Sequence, residues 1–168
     1  SELPLTSYGL SKLSITKKLI ALYHVEKYPS IILRPSVVYG VGQKTDMFIS
    51  ALAEAIFYKK YFDMTGGEQY RDFIYIDDLI DALILTIGKN GLNGEILNIT
   101  YGESYQLKKI AIELANLIEK DGNSLLKIGN IKYRRSEIMN YFTSNQKAKD
   151  LLGWSPKISI DVGLKKIT

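Results

Sequence analysis

The sequence predicts an α/β fold built on a parallel sheet, on three observations. Helix-length segments with apolar periodicity alternate with short β-branched runs, the order that a parallel sheet covered by helices produces. Ser36-Val37-Val38-Tyr39 reads as a strand of the buried kind. Leu107, Ile110, Ala111, Leu114, Leu117 and Ile118 recur at the three- and four-residue spacing of one helix face. A composition 46% hydrophobic and 24% charged belongs to a folded protein with a sizeable core.

In chain order, the stretch from Tyr8 to about Tyr28 has no proline and no turn signal after Gly9. Its apolar residues, from Leu13 to Val25, make a long helix with more than one apolar face. Pro29-Ser30 breaks it, and Ile31-Ile32-Leu33 leads into the strand that ends at the turn Gly40-Val41-Gly42. A second helix is expected over 45–60. Arg71 to Ile76 reads as a strand that enters a third helix through Asp77-Asp78, two carboxylates placed to favour the helix dipole. Glu95 to Ile99 is a strand, and the helix beginning at Leu107 follows it. A strand near Leu125 to Ile128, a helix from Gln146 to Leu152, the break at Gly153-Trp154-Ser155-Pro156 and a last short helix running to the C-terminus complete the series. A parallel strand needs neighbours, yet the long helix comes at once and few strong strands follow. Residues 1–168 are therefore expected to be the C-terminal part of a longer polypeptide, with no internal boundary.

Composition excludes several kinds of chemistry. With no cysteine there is no disulfide framework and no thiolate metal site; with one histidine, His24, there is no partner for a zinc cluster or a Ser-His-Asp relay. His24 itself reads as packed or partner-facing. Asp77, Asp78 and Asp81 read as carboxylates along an exposed first helical turn, and no metal is expected. A net charge of +4 spread over scattered lysines reads as a solvated surface, and the twelve tyrosines lack the basic stripe of a base-stacking platform, so no nucleic acid is expected. Apolar runs such as Leu79 to Ile87 fall short of the roughly 20 residues of a membrane span. The expectation is a soluble, cytoplasmic protein with no membrane partner.

Tyr8 and Lys12 stand one helical turn apart on one face. A cation beside a phenol stabilises the phenolate, so such a pair can exchange a proton with a substrate hydroxyl. Tyr23 with Lys27 and Tyr105 with Lys109 repeat the spacing, so spacing alone does not choose among the three.

The surrounding sequence does. Ser7-Tyr8-Gly9-Leu10-Ser11-Lys12, Leu33-Arg34-Pro35-Ser36-Val37-Val38-Tyr39-Gly40, Arg71-Asp72-Phe73-Ile74-Tyr75-Ile76-Asp77-Asp78, Gly94-Glu95-Ile96-Leu97-Asn98-Ile99, Arg134-Arg135-Ser136-Glu137 and the run from Lys147 to Pro156 follow one another in an order and spacing that resembles the extended short-chain dehydrogenase/reductase family. Within it, the chain is similar to the NAD-dependent nucleotide-sugar epimerases and dehydratases, over nearly its whole length.

That resemblance implies the C-terminal portion of a Rossmann-type parallel sheet, joined to a small mixed α/β substrate-binding subdomain. It implies NAD or NADP as cofactor and a nucleotide-sugar substrate that is transiently oxidised at one hydroxyl. By family position, Tyr8 takes the hydroxyl proton and Lys12 holds the nicotinamide ribose. Pro35 and Ser36 line the nicotinamide end, and Arg71 and Arg134 grip the diphosphate, a role that suits forked guanidinium donors. For Arg71, pairing with Asp72 or another carboxylate is the plain structural alternative; Arg34 reads as a strand-end residue and Arg135 as solvent-facing. Val37 stands where many relatives carry an asparagine, and Ser136 and Ser144 stand where glycine and aspartate are common. The Gly-rich dinucleotide fingerprint lies upstream of residue 1 in this family, so the chain alone is expected not to bind NAD. A homodimer through a bundle of helices is implied as well. The alternatives are a keto-sugar reductase of the same family, or a non-catalytic relative that keeps the fold for binding or assembly.

Overall fold

The computed structural model describes residues 6–168. The first helix, α1 (Ser7–Glu26), starts at Thr6, whose hydroxyl accepts a hydrogen bond from the Gly9 amide at 3.0 Å. It ends where Lys27 turns left-handed, φ 55°, and returns its N–H to Leu22 and Tyr23. Tyr23 lies directly over Gly94, where a Cβ would run into the tyrosine ring and where φ is +84°, so both space and backbone call for glycine. Thr16 is the buried residue of α1, while Leu10, Ile15 and Val25 stand exposed. His24 is exposed too, tilted against the Tyr23 ring, and is not packed in a core.

Strand β1 (Ile32–Pro35) and strand β2 (Val37–Tyr39) follow, then α2 (Phe48–Phe57), β3 (Phe62–Met64), β4 (Tyr70–Tyr75) and α3 (Ile76–Thr86). The rest comprises β5 (Ile96–Ile99), β6 (Ser104–Gln106), α4 (Leu107–Ile118), a 3₁₀ turn (Gly122–Leu125), β7 (Leu126–Ile128), α5 (Gln146–Leu152) and α6 (Ile160–Lys166). Parallel pairing dominates: β1 with β5, β2 with β4 and β3 with β7, with β6 antiparallel to β4. The fold is the expected α/β class.

The single strand expected to run on to Tyr39 is in fact two strands in two sheets. Pro35 has no N–H to continue a ladder, and the Ser36 amide donates to Ile99 O at 3.1 Å. From Val37 onward the chain pairs instead with Phe73, Ile74 and Tyr75. Pro35-Ser36 is thus the point where the chain leaves one sheet for another at the carboxyl end of β1. Helix α2 is shorter than expected, because Lys59 turns left-handed, φ 54°, and the Lys60 amide closes back on Ala55 O at 2.8 Å.

Two apolar cores result. In one, Leu52 and Ile56 of α2, Ile110 and Leu114 of α4 and Leu164 of α6 meet Tyr39, Phe73 and Tyr75. In the other, Ala82 of α3 and Ala148, Leu152 and Trp154 cover Ile74, Leu97 and Ile99. The predicted face of α4 is the buried one, except that Leu117 is exposed and Ala115 is buried. Tyr39 is almost fully buried; desolvation pushes its phenol well above the usual range. Gly163 packs so closely on its hydroxyl that a Cβ would overlap it. Alanine normally gains about 1 kcal/mol over glycine inside a helix, but overpacking a filled site costs about 1–3 kcal/mol. Gly163→Ala is therefore expected to lower stability by about 1 kcal/mol or more, read as a lower denaturant midpoint with an unchanged slope.

The three carboxylates at the start of α3 do not share one exposed turn, which corrects the sequence expectation. Asp77 pairs with Lys166 at 3.3 Å and Asp81 with Lys157 at 2.7 Å, both at the surface. Asp78 is buried and accepts from the backbone amides of Lys157 and Ile158 at 2.9 and 3.0 Å. Among the described residues, no helix is long and apolar enough to cross a membrane.

Candidate active site

Pro35, Ser36 and Val37, at the switch between sheets, line a cleft of about 260 Å³ together with Arg71 and Tyr141. In open α/β sheets ligands bind outside the carboxyl ends of the parallel strands, and this cleft lies at the carboxyl end of β1. Arg71 is the second residue of β4, and its guanidinium donates to Glu137 Oε1 at 2.5 Å and to Tyr70 O at 2.8 Å. The pairing alternative for Arg71 is therefore realised, with Glu137 and not with Asp72. Glu137 also faces a neighbouring cleft of about 300 Å³, which Phe48, Phe62, Met64, Gln69 and Arg134 help to line. The Arg71–Glu137 pair thus stands between two clefts, with Arg71 on one side and Arg134 on the other.

The chain from 130 to 142 that carries Arg134, Glu137 and Tyr141 is irregular and held by pins. The Tyr70 amide donates to Met139 O at 2.7 Å, Ser104 Oγ to Tyr141 O at 2.6 Å, and the Glu68 amide to the Tyr133 hydroxyl at 3.1 Å. Arg135 and Ser136 are exposed, and Ser144 Oγ accepts from the Gln146 amide at the start of α5. Arg34 sits at the end of β1, half-buried.

The sequence offers Asp72 only as a possible partner of Arg71. Asp72 is 1% exposed and accepts from Ser36 Oγ at 2.8 Å, the Tyr101 amide at 2.9 Å and the Gly102 amide at 2.8 Å. Burial pushes its carboxyl above the usual range, against the pull of those three donors. The available signal was a carboxylate beside the apolar run Phe73-Ile74-Tyr75, which must find donors if the strand is buried.

Tyr8 and Lys12 line neither cleft. Tyr8 is 70% exposed, and Lys12 Nζ lies 5.4 Å from the centre of its ring. Lys27 sits over Tyr23 at 5.6 Å in the same way, so helix geometry does not separate those two pairs. The third pair is different, because the Tyr105 hydroxyl donates to Glu103 at 2.9 Å; burial and that carboxylate push the phenol up.

Residues 2–100 match the model of the NAD dependent epimerase/dehydratase family. The chain belongs to that family. It is 33% identical to a Bacillus subtilis protein named "Uncharacterized UDP-glucose epimerase YtcB", over 96% of this chain and 50% of the relative. It is 32% identical to the dTDP-4-dehydro-6-deoxyglucose reductase of Escherichia coli, over 98% of this chain and 52% of the relative. Among solved structures, UDP-glucuronic acid 4-epimerase from Bacillus cereus, in complex with UDP-glucuronic acid and NAD, superposes with a TM-score of 0.86 at 30% identity, covering 98% of this chain and 52% of that one. The chain spans about half the length of the curated relatives it matches. Epimerase and reductase relatives stand at nearly equal identity, so similarity fixes the family and leaves the reaction open.

Proposed function

We propose that this chain forms the substrate-side half of an NAD-dependent nucleotide-sugar epimerase or dehydratase, the dinucleotide-binding half being supplied by polypeptide outside residues 1–168. The convergence of Ser36, Val37 and Arg71 in one cleft at the carboxyl end of β1 carries this reading. Two further observations support it: the relatives are about twice as long, and among the described residues β1 and β5 pair in a two-stranded parallel sheet.

The residues present fit one end of the cofactor. Pro35 and Ser36 offer a small wall at a sheet-switch crevice for the nicotinamide, and Tyr8 and Lys12, exposed on α1, are assigned its ribose. When bound, NAD supplies the hydride acceptor. As the phenolate, held by the Lys12 ammonium, Tyr8 Oη takes the proton of the sugar hydroxyl and becomes the neutral phenol. Arg71 and Arg134 bind the diphosphate from two sides, with Glu137 giving up Arg71 as the phosphate arrives. Two copies pair through α1, whose Leu10, Ile15 and Val25 are exposed, in a soluble, cytoplasmic enzyme.

The test is to incubate the full-length protein with NAD and UDP- or dTDP-glucose and follow the sugar by NMR. Inversion at C4 identifies an epimerase and a 4-keto-6-deoxy sugar a dehydratase. Turnover only when a 4-keto sugar and a reduced nicotinamide are supplied identifies a reductase, and no binding of any nucleotide sugar overturns the proposal. Arg71→Lys keeps the charge but loses the fork. It is expected to raise KM for the nucleotide sugar about tenfold, the size of one charge-assisted hydrogen bond, with kcat little changed in steady-state kinetics.

A further inference from the structure

A carboxylate as deeply buried as Asp72 is strongly unfavourable unless donors replace its lost water. Here three do, and they come from two loops at the carboxyl ends of paired parallel strands: Ser36 after β1, and Tyr101 and Gly102 after β5. Oδ1 accepts from both Ser36 and Tyr101, and Oδ2 from Gly102. The two backbone amides are fixed donors, so both oxygens must act as acceptors. An asparagine would set its NH₂ against one of the three donors.

The consequence falls on Ser36. A serine hydroxyl has one hydrogen and two lone pairs. Its hydrogen goes to Asp72, and the Ser36 amide goes to Ile99 O. Toward the cleft the side chain is left with lone pairs alone. Its neighbours add nothing: Pro35 has no N–H, and the Val37 side chain is apolar. The wall from Pro35 to Val37 therefore presents a single polar side-chain atom, an acceptor, in a cleft that Arg71, whose guanidinium holds donors alone, also lines.

We propose that Asp72 is a positioning residue, which holds the Ser36 hydrogen so that Ser36 Oγ accepts from a neutral N–H or O–H donor of the bound ligand and turns away anionic groups. Resting on the function proposed above, the donor is either the carboxamide of the nicotinamide or a hydroxyl of the sugar, and paired ligands separate the two. Asp72 touches neither ligand; it acts through Ser36.

The experiment is calorimetric titration of the full-length protein with NAD and ADP-ribose, which lacks the carboxamide, and with UDP-glucose and UDP, which lacks the sugar. Ser36→Ala and Asp72→Asn are each expected to weaken one member of one pair about tenfold, the worth of a hydrogen bond, and to spare its truncated partner. Loss confined to NAD assigns the carboxamide; loss confined to UDP-glucose assigns the sugar hydroxyl. The double variant should lose no more than either single one, and Ser36→Thr, which keeps the hydroxyl, should restore binding. If Asp72→Asn fails to fold, Ser36→Ala and Ser36→Thr decide alone, because Ser36 is at the cleft surface. Equal weakening of both members of a pair, or wild-type affinity in Ser36→Ala, overturns the inference while the proposed function stands. A wild-type protein that binds none of the four ligands overturns both.

Discussion

Replacing Tyr8 with phenylalanine in the full-length protein is expected to lower kcat for the nucleotide sugar about 10³-fold, with KM changed by less than about threefold. The substitution removes one oxygen from a ring that is 70% exposed, so no packing is lost with it. Only a step that needs the phenolic oxygen should suffer. Lys12 Nζ sits 5.4 Å from the ring centre, and Tyr8 lies in the first turn of α1. Tyr23→Phe is the control, because Lys27 sits over Tyr23 in nearly the same geometry. It should leave kcat within about twofold, since the ring still covers Gly94 and no proton transfer is assigned to its hydroxyl. Equal losses in the two variants, or a Tyr8→Phe enzyme that keeps a tenth of its turnover, would remove Tyr8 from the chemistry.

What could be read in the sequence, and what could not, divides by distance along the chain. Helix α4 was legible because its signal is local: one apolar face at helical spacing, beginning at Leu107 and ending at Ile118. Helix α5, bounded by Gln146 and the left-handed Gly153, was legible for the same reason. Strands β3 and β6 were not, since Phe62-Asp63-Met64 and Ser104-Tyr105-Gln106 contain no β-branched residue and each exists through a distant partner, Leu126–Ile128 for one and Tyr70–Asp72 for the other. The break at Ser36 was hidden in the same way. Nothing in Leu33-Arg34-Pro35-Ser36-Val37 says that the residues before it pair with Ile96–Ile99 and those after it with Phe73–Tyr75. At the candidate site, the candidate residues came from motif order, whereas their partners came only from the fold. Glu137 meets Arg71 across sixty-six residues, and Asp72 meets Ser36 across thirty-six.

Asp78→Ala is expected to cost the fold about 4 kcal/mol, although two neighbouring aspartates on the same helix should each cost far less. The sum comes from two part-buried backbone donors, the amides of Lys157 and Ile158, which lose their acceptor at about 1–3 kcal/mol apiece. No water can replace that acceptor cheaply, because Asp78 is 2% exposed. The indole of Trp154 still donates to the Asp78 carbonyl at 3.0 Å, a backbone contact the substitution leaves in place. Asp78→Asn keeps one oxygen but turns an NH₂ toward one of the two amides, so it should fall between wild type and alanine. Asp77 and Asp81 bind lysine ammonium groups at the surface, where solvent screens the pair and each partner hydrates freely once released. Against a total stability of about 5–15 kcal/mol for a domain, loss of the Asp78 carboxylate should release the strap over 153–158. Trp154 would then lift off the core it shares with Ile74, Leu97 and Leu152. Equilibrium denaturation should show a greatly lowered midpoint for Asp78→Ala and midpoints close to wild type for Asp77→Ala and Asp81→Ala. Equal shifts in all three variants would mean that these carboxylates act through surface charge, and that the strap is held by packing alone.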